Sequence, residues 1–266
     1  MDIFYTKFKV DAYSDIGNKK KVNQDSLIVK QARTNNIGRV CFACLCDGMG
    51  GLSQGEVASA SFVNRMGQWF ENEFPRIIAV EDATEDLSQA NPVPTDFFRQ
   101  VEAQLEMIVR QMNQGLKQYG CKQGFKLGTT AVVILIMQGQ YLIMSVGDSR
   151  AYVFNRNSLK QITHDQSYVQ QQMDLGRMTP EEAAASPDKS VLLQCIGASE
   201  NVYPDFYMGK CEDEDTFLLC SDGLWRLLTP KEIVSYGTKT NGLQKMTELV
   251  KSRGETDNIS GLVIGV

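Results

Sequence analysis

The chain has 266 residues, 42% apolar and 22% charged, enough to bury a sizeable core as one large domain or two small ones. Its net charge of −5 gives no electrostatic reason to expect nucleic acid or an anionic membrane as a partner. No apolar run approaches the roughly 18 residues of a membrane helix, Met1-Asp2-Ile3-Phe4 lacks the basic start of a signal peptide, and the expected location is cytoplasmic.

The hydrophobic pattern predicts strands over 8–13 and 26–31, joined by a polar connection that carries Lys19, Lys20 and Lys21 and reads by itself as a solvated turn. A third strand covers 38–46. A helix begins at Glu56, with Ala58, Phe62, Val63, Met66, Trp69 and Phe70 on one apolar face. Residues 81–94 are acidic, end in two prolines and read as an exposed loop. A second long helix runs over 95–119, with Thr95 as its cap and Phe98, Val101, Leu105, Ile108, Met112, Leu116 and Tyr119 as its core stripe. Strands over 129–137, 141–146 and 150–154 follow, and connections this short imply antiparallel pairing. From His164 to about Ser190 the chain is polar and weakly helical, with Thr179-Pro180-Glu181-Glu182 as a helix start. Strands resume near Tyr203 and Thr216, helices cover 230–236 and 243–253, and 259–264 is the last strand. Strict strand–helix alternation is absent, so the fold class is α+β, with helices covering antiparallel sheets.

Seven cysteines sit mostly in apolar runs. Cys41 and Cys44 form a CxxC, but residues three apart on a strand face opposite sides of a sheet, so a shared zinc or a disulfide is not expected there. Buried, reduced thiols are the expectation.

Acids end several apolar runs. Asp47 follows 40–46 and precedes Gly48, Met49, Gly50 and Gly51; Asp148 follows 141–146; Asp222 follows 216–220; Asp257 precedes 259–266. A single Asp-Gly is ordinarily a turn. Carboxylates at the ends of several buried strands suggest one cluster instead, and such a cluster needs cations to offset its burial. All-oxygen ligation suits Mg²⁺ or Mn²⁺. With His164 as the only histidine there is no Ser-His-Asp arrangement, and no GxxxxGK[ST] is present. Metal-assisted attack of water on a phosphoryl group remains.

These residues resemble the metal-dependent protein serine/threonine phosphatases of type 2C, in their compact bacterial form. The motifs occur in that family's order: Ser14-Asp-Ile-Gly17 with Asn23-Gln-Asp25, Asp47-Gly-Met-Gly-Gly51, Leu127-Gly-Thr-Thr130, Val146-Gly-Asp-Ser-Arg150, Ile162-Thr-His-Asp165, Leu219-Cys-Ser-Asp-Gly-Leu-Trp225 and Asp257-Asn-Ile-Ser260. The resemblance implies one catalytic domain over 1–266, a four-layer αββα sandwich of two packed antiparallel sheets flanked by helix pairs. It also implies a flap over about 166–190 beside the metal site. Asp47 would bridge two metals and the Gly48 carbonyl would bind one of them. Asp222 and Asp257 would complete the other, and Asp25 would hold a coordinated water. Asp148 with Asp222 would form a weaker third site.

Five positions depart from the family pattern. Lys20 stands where an arginine ordinarily grips the substrate phosphate, which keeps the charge but loses the bidentate fork. Gln166 replaces a histidine. Ser186, Ser190 and Gln194 replace a more usual His, Asn and Arg. Met49 is ordinary for bacterial members, and His164 reads as a surface residue. The resemblance thus implies a cytoplasmic, monomeric phosphoric monoester hydrolase that acts on phosphoserine and phosphothreonine in proteins, opposing a serine/threonine kinase. The alternative is a pseudophosphatase, a phosphoprotein-binding or regulatory module with weak catalysis.

Overall fold

A computed structural model describes residues 7–34, 37–49, 54–82, 95–156 and 158–266. In chain order the elements are β1 (Lys9–Asp15), β2 (Asp25–Thr34), β3 (Gly38–Asp47), α1 (Gly55–Asn72), α2 (Phe74–Asp82), α3 (Thr95–Gln123), β4 (Ala131–Met137) and β5 (Gln140–Val146). There follow β6 (Arg150–Phe154), β7 (Leu159–Gln161), α4 (Tyr168–Asp174), α5 (Pro180–Ala185), β8 (Asp205–Lys210) and β9 (Thr216–Cys220). The chain closes with α6 (Asp222–Trp225), α7 (Pro230–Gly237), α8 (Gly242–Ser252) and β10 (Ile259–Gly265).

Two five-stranded antiparallel sheets result, one in the order β1-β10-β9-β6-β7 and the other β2-β3-β4-β5-β8. Strand β1 pairs along its length with β10, so the first and last strands among the described residues are neighbours. Strand β3 shows how one sequence serves two cores. Val40, Phe42, Cys44 and Cys46 pack beneath α1–α3, whereas Cys41, Ala43 and Leu45 point into the layer between the sheets. Cys41 and Cys44 therefore face opposite ways, and all seven cysteines are free thiols. The central strand β4, Ala-Val-Val-Ile-Leu-Ile-Met, is buried along its length because both its faces are covered, which explains its continuous apolar run. A third apolar cluster joins β6, β9 and β10 to α6, α7 and α8. The four-layer α+β arrangement expected from the sequence is present.

The outer helices follow local chemistry. Both α5 and α7 open with capping boxes, Thr179 with Glu182 and Thr229 with Glu232, each with proline in the first turn. Phe42, Trp69, Phe70, Phe74 and Phe97 make a chain of ring contacts that fixes α1, α2 and α3 on the sheet.

Four expectations need correction. Helix α2 is new: Phe74, Ile77 and Ile78 are buried, but the stretch is too short for its period to stand apart from α1. Strand β7 is three residues long and carries no alternation to read. Strands β5 and β6 do not form a hairpin. Gly147, at φ 96°, turns the chain from one sheet to the other, and β6 pairs with β9 and β7. Tyr119 ends the α3 stripe exposed, its ring against Phe125. From residue 83 on, the expected loop over 81–94 lies outside the described residues, as do Gly50, Gly51 and the side chain of Thr95.

Candidate active site

The switch from one sheet to the other gathers the acids at one end of the sandwich. Asp25 opens β2 and Asp47 ends β3, and the two are register partners. The Asp47 carbonyl is held by Thr130 N at 2.9 Å and Thr129 Oγ1 at 2.9 Å. Gly48 fits because a Cβ there would lie 2.4 Å from the Gly55 carbonyl oxygen and 2.5 Å from that of Gln24. Asp148 sits on the crossing between β5 and β6, Asp222 begins α6 after β9, and Asp257 precedes β10. The structure thus brings Asp25, Asp47, Asp148, Asp222 and Asp257 into mutual electrostatic range.

Their surroundings oppose ionisation. Burial, then the Asp222 and Asp257 charges, push the Asp25 carboxyl up to about 7 despite hydrogen bonds from Ser260 and Ser221. Burial and the Asp222 charge push Asp148 up to about 8, against the opposing pull of Arg226 and Arg150. Asp47 is held well above the usual carboxylate range by burial and by Asp25, Asp222, Asp148 and Asp257 in turn. Asp222 is raised by burial first, with Arg226 opposing.

Two cations enter the cluster. Lys20 Nζ lies 2.6 Å from Asp257 Oδ1. Burial alone would lower its pKa, but Asp257, with Asp47 and Asp222 beyond it, raises it. Lys19 and Lys21 are exposed while Lys20 is half-buried, so the three lysines are not equivalent. Arg226 was not singled out by the sequence. Its Nη2 lies 2.6 Å from Asp222 Oδ2 and 3.5 Å from Asp148 Oδ2. The available signal was its spacing, since a residue four after Asp222 shares a helical face with it.

Around this cluster, Arg150 forms a forked pair with Asp165 and stacks on Trp225 with its guanidinium carbon 3.3 Å from the ring centroid. Trp225 Nε1 donates to the Asp148 carbonyl at 3.1 Å. Gln166 accepts from Gly147 N at 3.0 Å and donates to Asp205 Oδ2 at 2.8 Å, tying the start of the 166–190 segment to the turn that carries Asp148. Gln194 accepts from Tyr203 N at 3.2 Å. His164 is apart from the acids: it is exposed and bonds Asp174 at 2.7 Å.

The residues fit divalent cations by their chemistry. Asp25 Oδ1 and Asp222 Oδ1 are buried with no hydrogen-bond partner, a costly arrangement for an ionised oxygen unless a cation answers it. Carboxylates beside a backbone carbonyl are the ligands that hard Mg²⁺ or Mn²⁺ take. The cage is not closed in advance: among the described residues no three Asp, Glu, His or Cys side chains converge to ion-binding spacing.

A profile of the protein phosphatase 2C family matches residues 17–255. The chain belongs to that family. Among its relatives is protein phosphatase PhpP of Streptococcus pneumoniae, 29% identical over 264 residues that cover 97% of each chain. The crystal structure of serine/threonine phosphatase Stp1 from Staphylococcus aureus superposes with a TM-score of 0.80, at 27% identity, covering 98% of this chain and 96% of that one. The catalytic domain of the serine/threonine phosphatase PstP, in complex with two manganese ions, superposes at a TM-score of 0.71 with 27% identity over 97% of both chains. Membership carries the enzyme class: this is a bacterial-type protein serine/threonine phosphatase, of a metal-dependent family. No helix among the described residues is long and apolar enough to cross a membrane.

Proposed function

We propose that this protein phosphatase 2C hydrolyses phosphoserine and phosphothreonine in proteins with two divalent cations, Mg²⁺ or Mn²⁺, held by Asp47, the Gly48 carbonyl, Asp222 and Asp257, with Asp25 supporting a water beside them. The observation that carries the proposal is the pair of buried, unpartnered oxygens on Asp25 and Asp222 inside a five-carboxylate cluster. Bound there, such cations would lower the pKa of a water and offset charge on the phosphoryl oxygens during in-line displacement.

The chain's own residues have separable roles. Burial and the four neighbouring acids hold Asp47 well above the usual carboxylate range, so in the ion-free protein it keeps a proton that cation binding must release. Ser221 Oγ, donating to Asp25 Oδ2 at 3.0 Å, leaves Asp25 Oδ1 as the free oxygen. Lys20 is the phosphate-binding residue. As an ammonium on a flexible stem it can leave Asp257 for a phosphate oxygen, as a point charge rather than a fork. One catalytic domain over 1–266 with a flap over 166–190, a monomeric state, a cytoplasmic location and an opposing serine/threonine kinase belong to the same proposal. The free thiols support the location.

The test is hydrolysis of a phosphothreonine peptide. Turnover should require Mn²⁺ or Mg²⁺, stop in EDTA, and be lost in Asp47→Ala and Asp222→Ala. Metal binding without turnover in the wild type would point to a pseudophosphatase.

A further inference from the structure

Arg226 answers different acids of the cluster from Lys20. It follows α6 directly, one helical turn after Asp222, and its side chain is only 17% exposed. Its Nη2 reaches Asp222 Oδ2, Asp148 Oδ2 and, at 3.4 Å, Ser190 Oγ. Lys20 touches Asp257 and not these two acids, so the guanidinium is the cation in direct contact with the Asp148–Asp222 edge.

We propose that Arg226 is a built-in cation at the Asp148–Asp222 edge, taking the place of a third divalent ion so that the site holds two. The proposal rests on the two-cation reading above. Asp222 is divided between two tasks: Oδ2 is engaged by Arg226, while Oδ1 is buried and unpartnered. The free oxygen serves one of the two cations, and the engaged one is unavailable to another. A third divalent ion between Asp148 and Asp222 would stand within a few ångströms of a guanidinium, and like charges that close in a poorly hydrated pocket repel strongly. Expelling Arg226 to admit the ion would remove a half-buried charge from both its partners. Asp148 is further fixed by Trp225, which bonds its carbonyl from the residue next to Arg226, so acid and guanidinium are positioned by one short segment. Arg226 is thus a positioning residue that sets the number of ions.

The test counts Mn²⁺ bound to chelator-stripped protein, without substrate, by calorimetry and by electron paramagnetic resonance of the free ion. Wild type and Arg226→Lys should bind two. Arg226→Ala and the polar but uncharged Arg226→Gln should each bind a third, weaker ion, and Arg226→Ala combined with Asp148→Asn should return to two. A wild type that binds three, or neutral variants that stay at two while folded by circular dichroism, would overturn the proposal. A wild type that binds none overturns the two-cation reading itself, a distinct result.

Discussion

Asp25 and Asp47 face each other as the terminal register pair of β2 and β3, two carboxylates directly opposed across an antiparallel ladder. Opposed like charges destabilise a strand pair, and here burial adds to the repulsion. Asp47→Asn should therefore stabilise the ion-free protein by about 1 kcal/mol, read as a higher urea midpoint in EDTA. The same change should lower Mn²⁺-dependent turnover by more than about 100-fold, since losing even an outer-shell partner of a metal ligand costs up to that much. An ion-free variant less stable than wild type would mean that the acids are not in conflict.

The pairing of Asp25 with Asp47 also shows how far the sequence carries. Apolar runs ending in acids located Asp47, Asp148, Asp222 and Asp257, because a strand that stops at a carboxylate leaves a visible boundary. The opposite facing of Cys41 and Cys44 followed from the two-residue period of β3. The β5–β6 crossing was not legible. A three-residue turn looks the same whether it closes a hairpin or changes sheet, and only the pairing of β6 with β9 decides. Arg226 was hidden for a related reason. Its role depends on Asp148, which lies 78 positions away along the chain and is brought near by that crossing.

Lys20 offers a prediction on the substrate side. Among the described residues its ammonium touches Asp257 and no other acid directly, so removing it should disturb the cluster little. Lys20→Ala should raise KM for a phosphothreonine peptide by about 10- to 100-fold, the worth of a charged hydrogen bond, with a smaller change in kcat. Lys20→Arg should lower KM and leave Mn²⁺ affinity nearly unchanged. Equal kcat/KM in all three proteins would remove Lys20 from the site.

The pH dependence of the ion-free protein has a definite sign. Asp25 and Asp148 titrate at about 7 and about 8 when folded, above the roughly 3.9 of an unfolded aspartate. Their protonated forms thus lend stability that is fully present below about pH 4 and is lost as pH rises through 7 to 8. In EDTA the melting temperature should fall from pH 5 to pH 8, and Mn²⁺ should restore it most at pH 8. A melting temperature rising over that range would contradict the account.

Gly17 holds the turn before Lys20 against the strand end that carries Asp257. It sits at φ 78°, and a Cβ there would lie 2.0 Å from the Asp257 carbonyl oxygen. Gly17→Ala should cost about 1–3 kcal/mol in urea denaturation and weaken Mn²⁺ binding by displacing Asp257. Gly115→Ala, within α3 where a Cβ meets nothing within 4 Å, should instead stabilise by about 0.5–1 kcal/mol. Equal effects at the two glycines would show that the clash at Gly17 is relieved elsewhere.

The proposed activity is hydrolysis of phosphoserine and phosphothreonine by this carboxylate cluster loaded with divalent cations. Phosphate release from a phosphothreonine peptide by chelator-stripped protein, with and without Mn²⁺, tests it most directly. No release is expected without the ion, restoration on its addition, and less than about a hundredth of the wild-type release in Asp47→Asn with the ion. Turnover that survives chelation, or that stays near the wild-type level in Asp47→Asn, would contradict this.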